Sequence, residues 1–464
     1  MTNAITPKVQ AVENMVKRAR EVTRDPNSPA CPVCHVKIWI SLFFDGTGNH
    51  REKDFPKCHS NVAALFDAHL DDPKKGIIRL YYEGLGRQFS FRERYEERMI
   101  PTATGNRPLK IEGYEESDDR RMGKAFADGI TERLEKALFE LTDTIDFQRS
   151  QKKVDEINLA VFGFSRGATE ARAFLHWLAA HSKVKRTGLR LSYDGLPLNV
   201  KFLGVFDTVE SVGWAGTNKK PETIKTKVPP FVEKCTHIVA AHELRAAFPL
   251  TVVDNHHKCV VYPGAHADVG GGYAPEEQGR SNQLARIALL QMLDEARSTG
   301  LKMRSLGEMK GDSYLWDIRY KFSFDVPQSV IQALDNYIAA VGPSGNIVQH
   351  FQTHMDQYWH WIDAGLAVED VEQKREAYRG NKKREKEFQV MRHLLTCLAR
   401  TPEGRGSGAN FPPKRGAVAA PVEHFFESYV HDSFEHFSAS GGTTQTDLSD
   451  ANYYHLRTRL QPVG

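Results

Sequence analysis

The sequence predicts an α/β chain, a mostly parallel doubly wound sheet with its site at the carboxyl edge, and three observations carry that expectation. Nearly continuous apolar runs at 36–44 (VKIWISLFF), 156–164 (EINLAVFGF) and 200–206 read as strands buried on both faces of a parallel sheet. Helical runs with one apolar face alternate with them, as at 123–144, where Ile130, Leu134, Ala137, Leu138 and Leu141 share a side. Polar and glycine-rich clusters follow the strand ends directly, where open α/β sheets place their ligands.

Taken in order, residues 1–30 form a polar arm closed by the breaker-rich Asp25-Pro26-Asn27-Ser28-Pro29. The first strand, 36–44, stops at Asp45-Gly46-Thr47-Gly48-Asn49, a sharp turn. A helix over 61–70 and a short strand over 77–82 come next. The charged stretch 87–120 reads as an irregular excursion. Beyond the helix over 123–144 and the strand over 156–164, an alanine-rich helix occupies 168–180, a strand over 200–206 ends at Asp207, and a strand over 258–262 leads to Pro263-Gly264-Ala265-His266. Residues 31–300 are thus expected to form the catalytic domain. The mixed aromatic and polar sequence of 301–464, with a Gly/Pro-rich linker at 401–420, is expected to form a helical cap or accessory lobe packed on it.

Composition narrows the class. With 40% hydrophobic and 26% charged residues the chain is globular rather than disordered, and a formal net charge of +3 over 464 residues does not call for nucleic acid. The local run Lys382-Lys383-Arg384 suits anionic surfaces such as phospholipid headgroups. The first 25 residues lack the apolar core of a secretory signal, no window approaches the ~18 apolar residues of a membrane span, and six cysteines suggest no disulfides.

The chemistry is concentrated in Gly163-Phe164-Ser165-Arg166-Gly167, set between a buried strand and an alanine-rich helix. A serine hydroxyl is a poor nucleophile, and a strained strand-to-helix elbow with small flanking residues exposes it to a base. This context makes Ser165 the expected nucleophile of a serine hydrolase with an α/β-hydrolase core. In that fold the acid and the histidine follow in order from strand ends, which points to Asp207 and then to His266, with His431 as the rival base. The oxyanion hole is expected from the Arg166 amide and from the amides of Gly46 or Thr47 in the loop after the first strand.

The motifs FFDGTGN at 43–49, Ser60-Asn61-Val62, YYEGLG at 81–86, GFSRGA at 163–168, FDTV at 206–209 and HADVGGGY at 266–273 occur together and in order. In these, over roughly residues 36–280, the chain resembles the type VI secretion phospholipase effectors of the first lipase class. Where that family often has Thr-Asn-Val, this chain has Ser60-Asn61-Val62. The resemblance implies a Ser165, Asp207 and His266 triad that hydrolyses acyl esters of glycerophospholipids at a membrane surface. It further implies an antibacterial toxin made in the bacterial cytoplasm, carried by a type VI spike or adaptor protein into a competitor's periplasm, and neutralised in the producer by a cognate immunity protein. The alternatives are a soluble carboxylesterase and a hydrolase-fold interaction protein without turnover.

Several features are weighed against plainer readings. Cys31-Pro32-Val33-Cys34-His35 with Cys58-His59 has zinc-like spacing, although unliganded thiols beside the first strand are the expected reading. Asp45 and Asp268 either order their loops or share a divalent metal, and the first is expected, so no cofactor is required. Tyr358, Trp359 and Trp361, with Phe351, suit either a membrane interface or a packed helical lobe. The run 231–248 has helical apolar spacing and reads as a core-facing helix, with a lid as its alternative.

Overall fold

A computed structural model describes residues 35–86, 89–102, 105–117, 125–210, 224–243, 245, 248–342, 345–366, 417–431, 433 and 459–463. Its centre is an eight-stranded sheet. Strands β1 (His35–Phe44), β2 (Ile77–Tyr82), β5 (Lys153–Phe164), β8 (Leu196–Phe206), β9 (Cys235–Ala240) and β11 (Lys258–Tyr262) run parallel in the order β11-β9-β8-β5-β1-β2. The hairpin of β6 (Val184–Thr187) and β7 (Arg190–Tyr193) joins antiparallel along the start of β8.

Alternation along β1 explains the two layers. Ile38, Ile40, Leu42 and Phe44 pack in one core with Ile130, Leu134 and Leu141 of α2 (Ala125–Gln151) and Phe174 and Leu178 of α3 (Arg166–Ala180). Phe43 faces the other way. With Phe162 and Phe202 it packs against Val62 and Leu65 of α1 (Asn61–Ala68) and Leu289 and Met292 of α5 (Leu284–Arg297). Burial on both faces is why these strands are apolar throughout, and each fully buried large side chain contributes roughly 1.5–3 kcal/mol.

Three expectations are corrected. The stretch 87–120 contains an antiparallel pair, β3 (Phe89–Thr102) with β4 (Gly105–Ser117), a pairing made by backbone hydrogen bonds that the charged sequence does not announce. The run 231–248 holds strand β9 rather than the expected core helix. All six of its residues are buried between β8 and β11, a place that suits the β-branched Thr236, Ile238 and Val239. The glycine-rich sequence after β11 does not stay a turn, since His266 starts a short helix, α4 (His266–Gly270).

Beyond residue 300 the described elements include α6 (Gln328–Val341), α7 (Ile347–Leu366) and α8 (Ala420–Tyr429), whose aromatic residues form a third core around Tyr337, Phe425 and Phe426. Tyr358 and Trp361 are buried in this core, and Phe351 is buried against the sheet side, so none is presented to a membrane. The Trp359 side chain, Cys31, Cys34 and the basic run at 382–384 lie outside the described residues. One element was not foreseen. Strand β12 (Arg459–Leu460) pairs parallel with β10 (Leu250–Thr251), and the Val463 carbonyl accepts from the Thr226 and Lys227 amides, tying this end of the chain into the core. Among the described residues no helix is long and apolar enough to cross a membrane.

Candidate active site

The ends of three parallel strands build the site. Ser165 sits between β5 and α3 at φ 58°, ψ −124°, a left-handed conformation that a non-glycine residue adopts only where its surroundings hold it. Those surroundings are visible. The Ser165 amide donates to Phe206 O at 3.0 Å, and its carbonyl accepts from Ala168 N at 3.1 Å and Val209 N at 3.2 Å. The elbow also needs its glycines: a Cβ on Gly163 would lie 2.4 Å from Gly167 O, and one on Gly167 would lie 2.3 Å from Asp45 O.

Asp207, at the end of β8, is fully buried with φ 43°. Its Oδ1 accepts from Ala240 N of β9 at 2.9 Å, and its Oδ2 accepts from His266 Nδ1 at 2.5 Å. The Ala240 bond fixes the carboxylate, and the carboxylate in turn fixes the imidazole tautomer and ring orientation. Phe164 and Phe248 hold the ring from two sides, with centroids 4.6 and 5.1 Å away. Burial pushes the His266 imidazole below its ordinary pKa, against the opposing pull of Asp207, so it is an unprotonated acceptor near neutral pH.

Ser165 and His266 both line a pocket of about 430 Å³, together with Thr47, Arg166, Arg245, Phe248, Tyr273 and other residues. Of the loop after β1, the Gly46 amide is committed to Asp45 Oδ1 at 2.7 Å, Gly48 N to Leu85 O at 2.8 Å and Asn49 N to Gly46 O at 2.8 Å. The Gly46 amide is thus already engaged in this structure. Thr47 is on the pocket wall, and its buried Oγ1 has no hydrogen-bond partner among the described residues.

Asp45 and Asp268 are each engaged by hydrogen bonds within their own surroundings. Asp45 accepts from Gly46 N and, at 2.5 Å, from Tyr81 Oη, and burial pushes its carboxyl up to about 6. Asp268 accepts from the Ala265 amide and from His431. Among the described residues no group of three or more His, Cys, Asp and Glu side chains is arranged to hold a metal ion. The rival base His431 is bound to Asp268 rather than to Asp207, and it is not on the pocket wall.

Sequence reasoning missed Arg245. Its guanidinium makes a bidentate pair with buried Glu243 at 2.8 Å and stacks on Phe248 with its carbon 3.5 Å from the ring centroid. No periodicity marks this residue, because the segment reads as helix and is not. Ser433, from the far end of the chain, donates to Glu243 Oε1 at 3.1 Å and completes that wall.

Comparisons with known proteins agree with this architecture. Residues 39–192 and 185–295 match the family described as type VI secretion, phospholipase effector Tle1-like, catalytic domain. Among solved structures, an uncharacterized protein from Pseudomonas aeruginosa superposes with a TM-score of 0.59 at 19% identity, over 97% of this chain and 81% of that one, a likeness of fold. The Tle1 effector bound to the VgrG spike of a type VI system gives a TM-score of 0.44 at 17% identity, over 71% of this chain and 86% of that one. No curated protein matches. The family match spans more than half of the 464 residues and covers the strands and the elbow that carry Ser165 and Asp207. The chain belongs to the Tle1-like family of type VI secretion phospholipase effectors.

Proposed function

We propose that the chain is a serine phospholipase that hydrolyses acyl esters of glycerophospholipids with Ser165 as nucleophile, His266 as general base and Asp207 as the orienting acid. The observation that carries this reading is the Asp207–His266 hydrogen bond, made by a buried imidazole on the same pocket wall as a strained serine. In the first half-reaction Ser165 Oγ attacks the ester carbonyl carbon while His266 Nε2 takes its proton. Carbonyl π electrons move to the oxygen, which the amides of Arg166 and Thr47 stabilise. The oxyanion then collapses, the lysophospholipid leaves with the proton from His266, and an acyl-Ser165 ester remains. Water, deprotonated by His266, releases the fatty acid and restores the serine.

The position of Arg166 supports its part, since it is the first residue of α3 and the helix dipole favours negative charge there. For Thr47 the support is the commitment of the neighbouring amides elsewhere. The catalytic unit in this reading is 31–300, and 301–464 is an accessory lobe packed on it, following the polar arm of 1–30. Within the family frame we place its target in a competitor's periplasm, with a spike or adaptor protein as carrier and an immunity protein in the producer. The Tle1 effector solved on its VgrG spike is the precedent for such a carrier.

The test is fatty-acid release from phospholipid vesicles by purified wild type and Ser165→Ala, beside a short-chain soluble ester. Release from vesicles by the wild type alone supports the reading. Turnover confined to the soluble ester would favour a carboxylesterase, and no reaction of Ser165 with a fluorophosphonate would favour an interaction protein.

A further inference from the structure

A second histidine–aspartate pair lies two residues from the proposed base. His431 Nδ1 donates to Asp268 Oδ1 at 2.6 Å, and the His431 amide donates to Asp268 Oδ2 at 2.9 Å. Both side chains are fully buried. Asp268 Oδ2 also accepts from the Ala265 amide at 2.9 Å, so one carboxylate joins the entry of α4 to a segment 163 residues downstream. His431 lies flat on Tyr273, with centroids 4.0 Å apart and planes 16° apart, and Tyr273 is on the pocket wall.

His266 opens a helix of only five residues, too short to hold its own geometry in isolation. Its orientation must come from ties to the rest of the molecule. Asp207 supplies one at the imidazole, and Asp268 supplies another at the backbone, through the Ala265 amide just before His266. The partner that holds Asp268 is His431, which follows α8 of the accessory lobe. Two more bonds anchor the same strap beside the pocket: Ser281 N to Ser428 O at 2.8 Å, and Ser433 to Glu243.

We propose that His431 is a positioning residue for His266, acting through Asp268, so that the accessory lobe completes the catalytic geometry of the core. The proposal rests on the serine-hydrolase reading of Ser165 and His266. It assigns no proton transfer to His431, whose Nε2 is buried and has no hydrogen-bond partner among the described residues. All of its polar bonding among these residues is therefore directed at Asp268, through Nδ1 and the backbone amide.

That asymmetry gives the test. His431→Asn puts an N–H donor near the place of Nδ1, whereas His431→Gln puts one near Nε2, with similar polarity and bulk. Steady-state hydrolysis of phospholipid vesicles should show kcat reduced about tenfold or more in His431→Gln, with KM within about twofold, because a displacement of the order of 1 Å at the base is felt in the chemical step. His431→Asn should recover most of that loss. Should either variant fail to fold, Asp268→Asn, which keeps the shape of the side chain, carries the same expectation of lowered kcat at unchanged KM. Equal wild-type rates in both His431 variants, or an equal loss in both, would overturn the proposal. So would a His431→Gln rate at the Ser165→Ala floor while His266→Ala still turns over. Ser165→Ala and His266→Ala run in parallel keep the two levels apart: activity in Ser165→Ala refutes the underlying reading, whatever the His431 variants do.

Discussion

His266 Nδ1 donates to Asp207 Oδ2 at 2.5 Å, and the other oxygen of the same carboxylate accepts from the Ala240 amide. The carboxylate is held by a neighbouring strand and the imidazole by the carboxylate, so orientation passes from the sheet to the proposed base through two hydrogen bonds. Asp207→Asn keeps the shape but offers His266 an N–H or a weaker acceptor, which frees the wrong tautomer. Its kcat on phospholipid should fall by about 10⁴-fold with little change in the unfolding midpoint. A loss below tenfold would mean that Asp207 does not orient the base.

The rate should depend on pH through His266. Attack requires the unprotonated imidazole, and burial places its pKa below the ordinary 6.5. As pH falls through that depressed value the base is lost, so kcat/KM should be flat from about pH 7 upward and decline on an acid limb with a midpoint under 6.5. A midpoint above 7 would contradict the burial argument. Stability linked to this group has the same sign: it is present above the unfolded-state pKa and lost as pH falls through the folded one.

Gly167 is a matter of space. A Cβ there would meet Asp45 O at 2.3 Å and Phe44 O at 2.4 Å, both backbone atoms at the end of strand β1. Gly167→Ala must push α3 off the sheet, and we expect a loss of about 3 kcal/mol in denaturant unfolding, with activity falling in parallel. A variant of wild-type stability would mean that the elbow relaxes more easily than its contacts suggest.

Trp361 is 6% exposed, inside the core formed by α6, α7 and α8. Trp361→Ala should therefore cost about 3–5 kcal/mol of stability and leave vesicle binding of the folded fraction unchanged. Weakened binding at normal stability would restore the membrane-facing alternative.

How much of this was legible in the sequence follows from what each element needs. Strands β1, β5 and β8 could be read because burial on both faces of a parallel sheet demands nearly unbroken apolar runs ended by turns. The elbow at Ser165 could be read because it requires small residues at Gly163 and Gly167, and the expected chain order serine, acid, histidine singled out Asp207 and His266, which the structure brings into a hydrogen-bonded pair at the same pocket. Strand β9 could not, since the spacing of its apolar residues also fits one face of a helix, and only its place between β8 and β11 decides the matter. The charged sequence of β3 and β4 carries no burial signal. Arg245, Ser433 and the Asp268–His431 pair depend on contacts across as many as 190 residues, which periodicity does not encode. The bond from the Gly46 amide to the side chain of the preceding aspartate is likewise a local contact that the sequence pattern does not announce.

The most direct test of the account is fatty-acid release from phospholipid vesicles by Ser165→Ala beside the wild type, with far-UV circular dichroism and unfolding midpoints measured on both. The account predicts a folded variant of near-wild-type stability whose release falls to the level of vesicles without enzyme. Release at an appreciable fraction of the wild-type rate by that folded variant would contradict it.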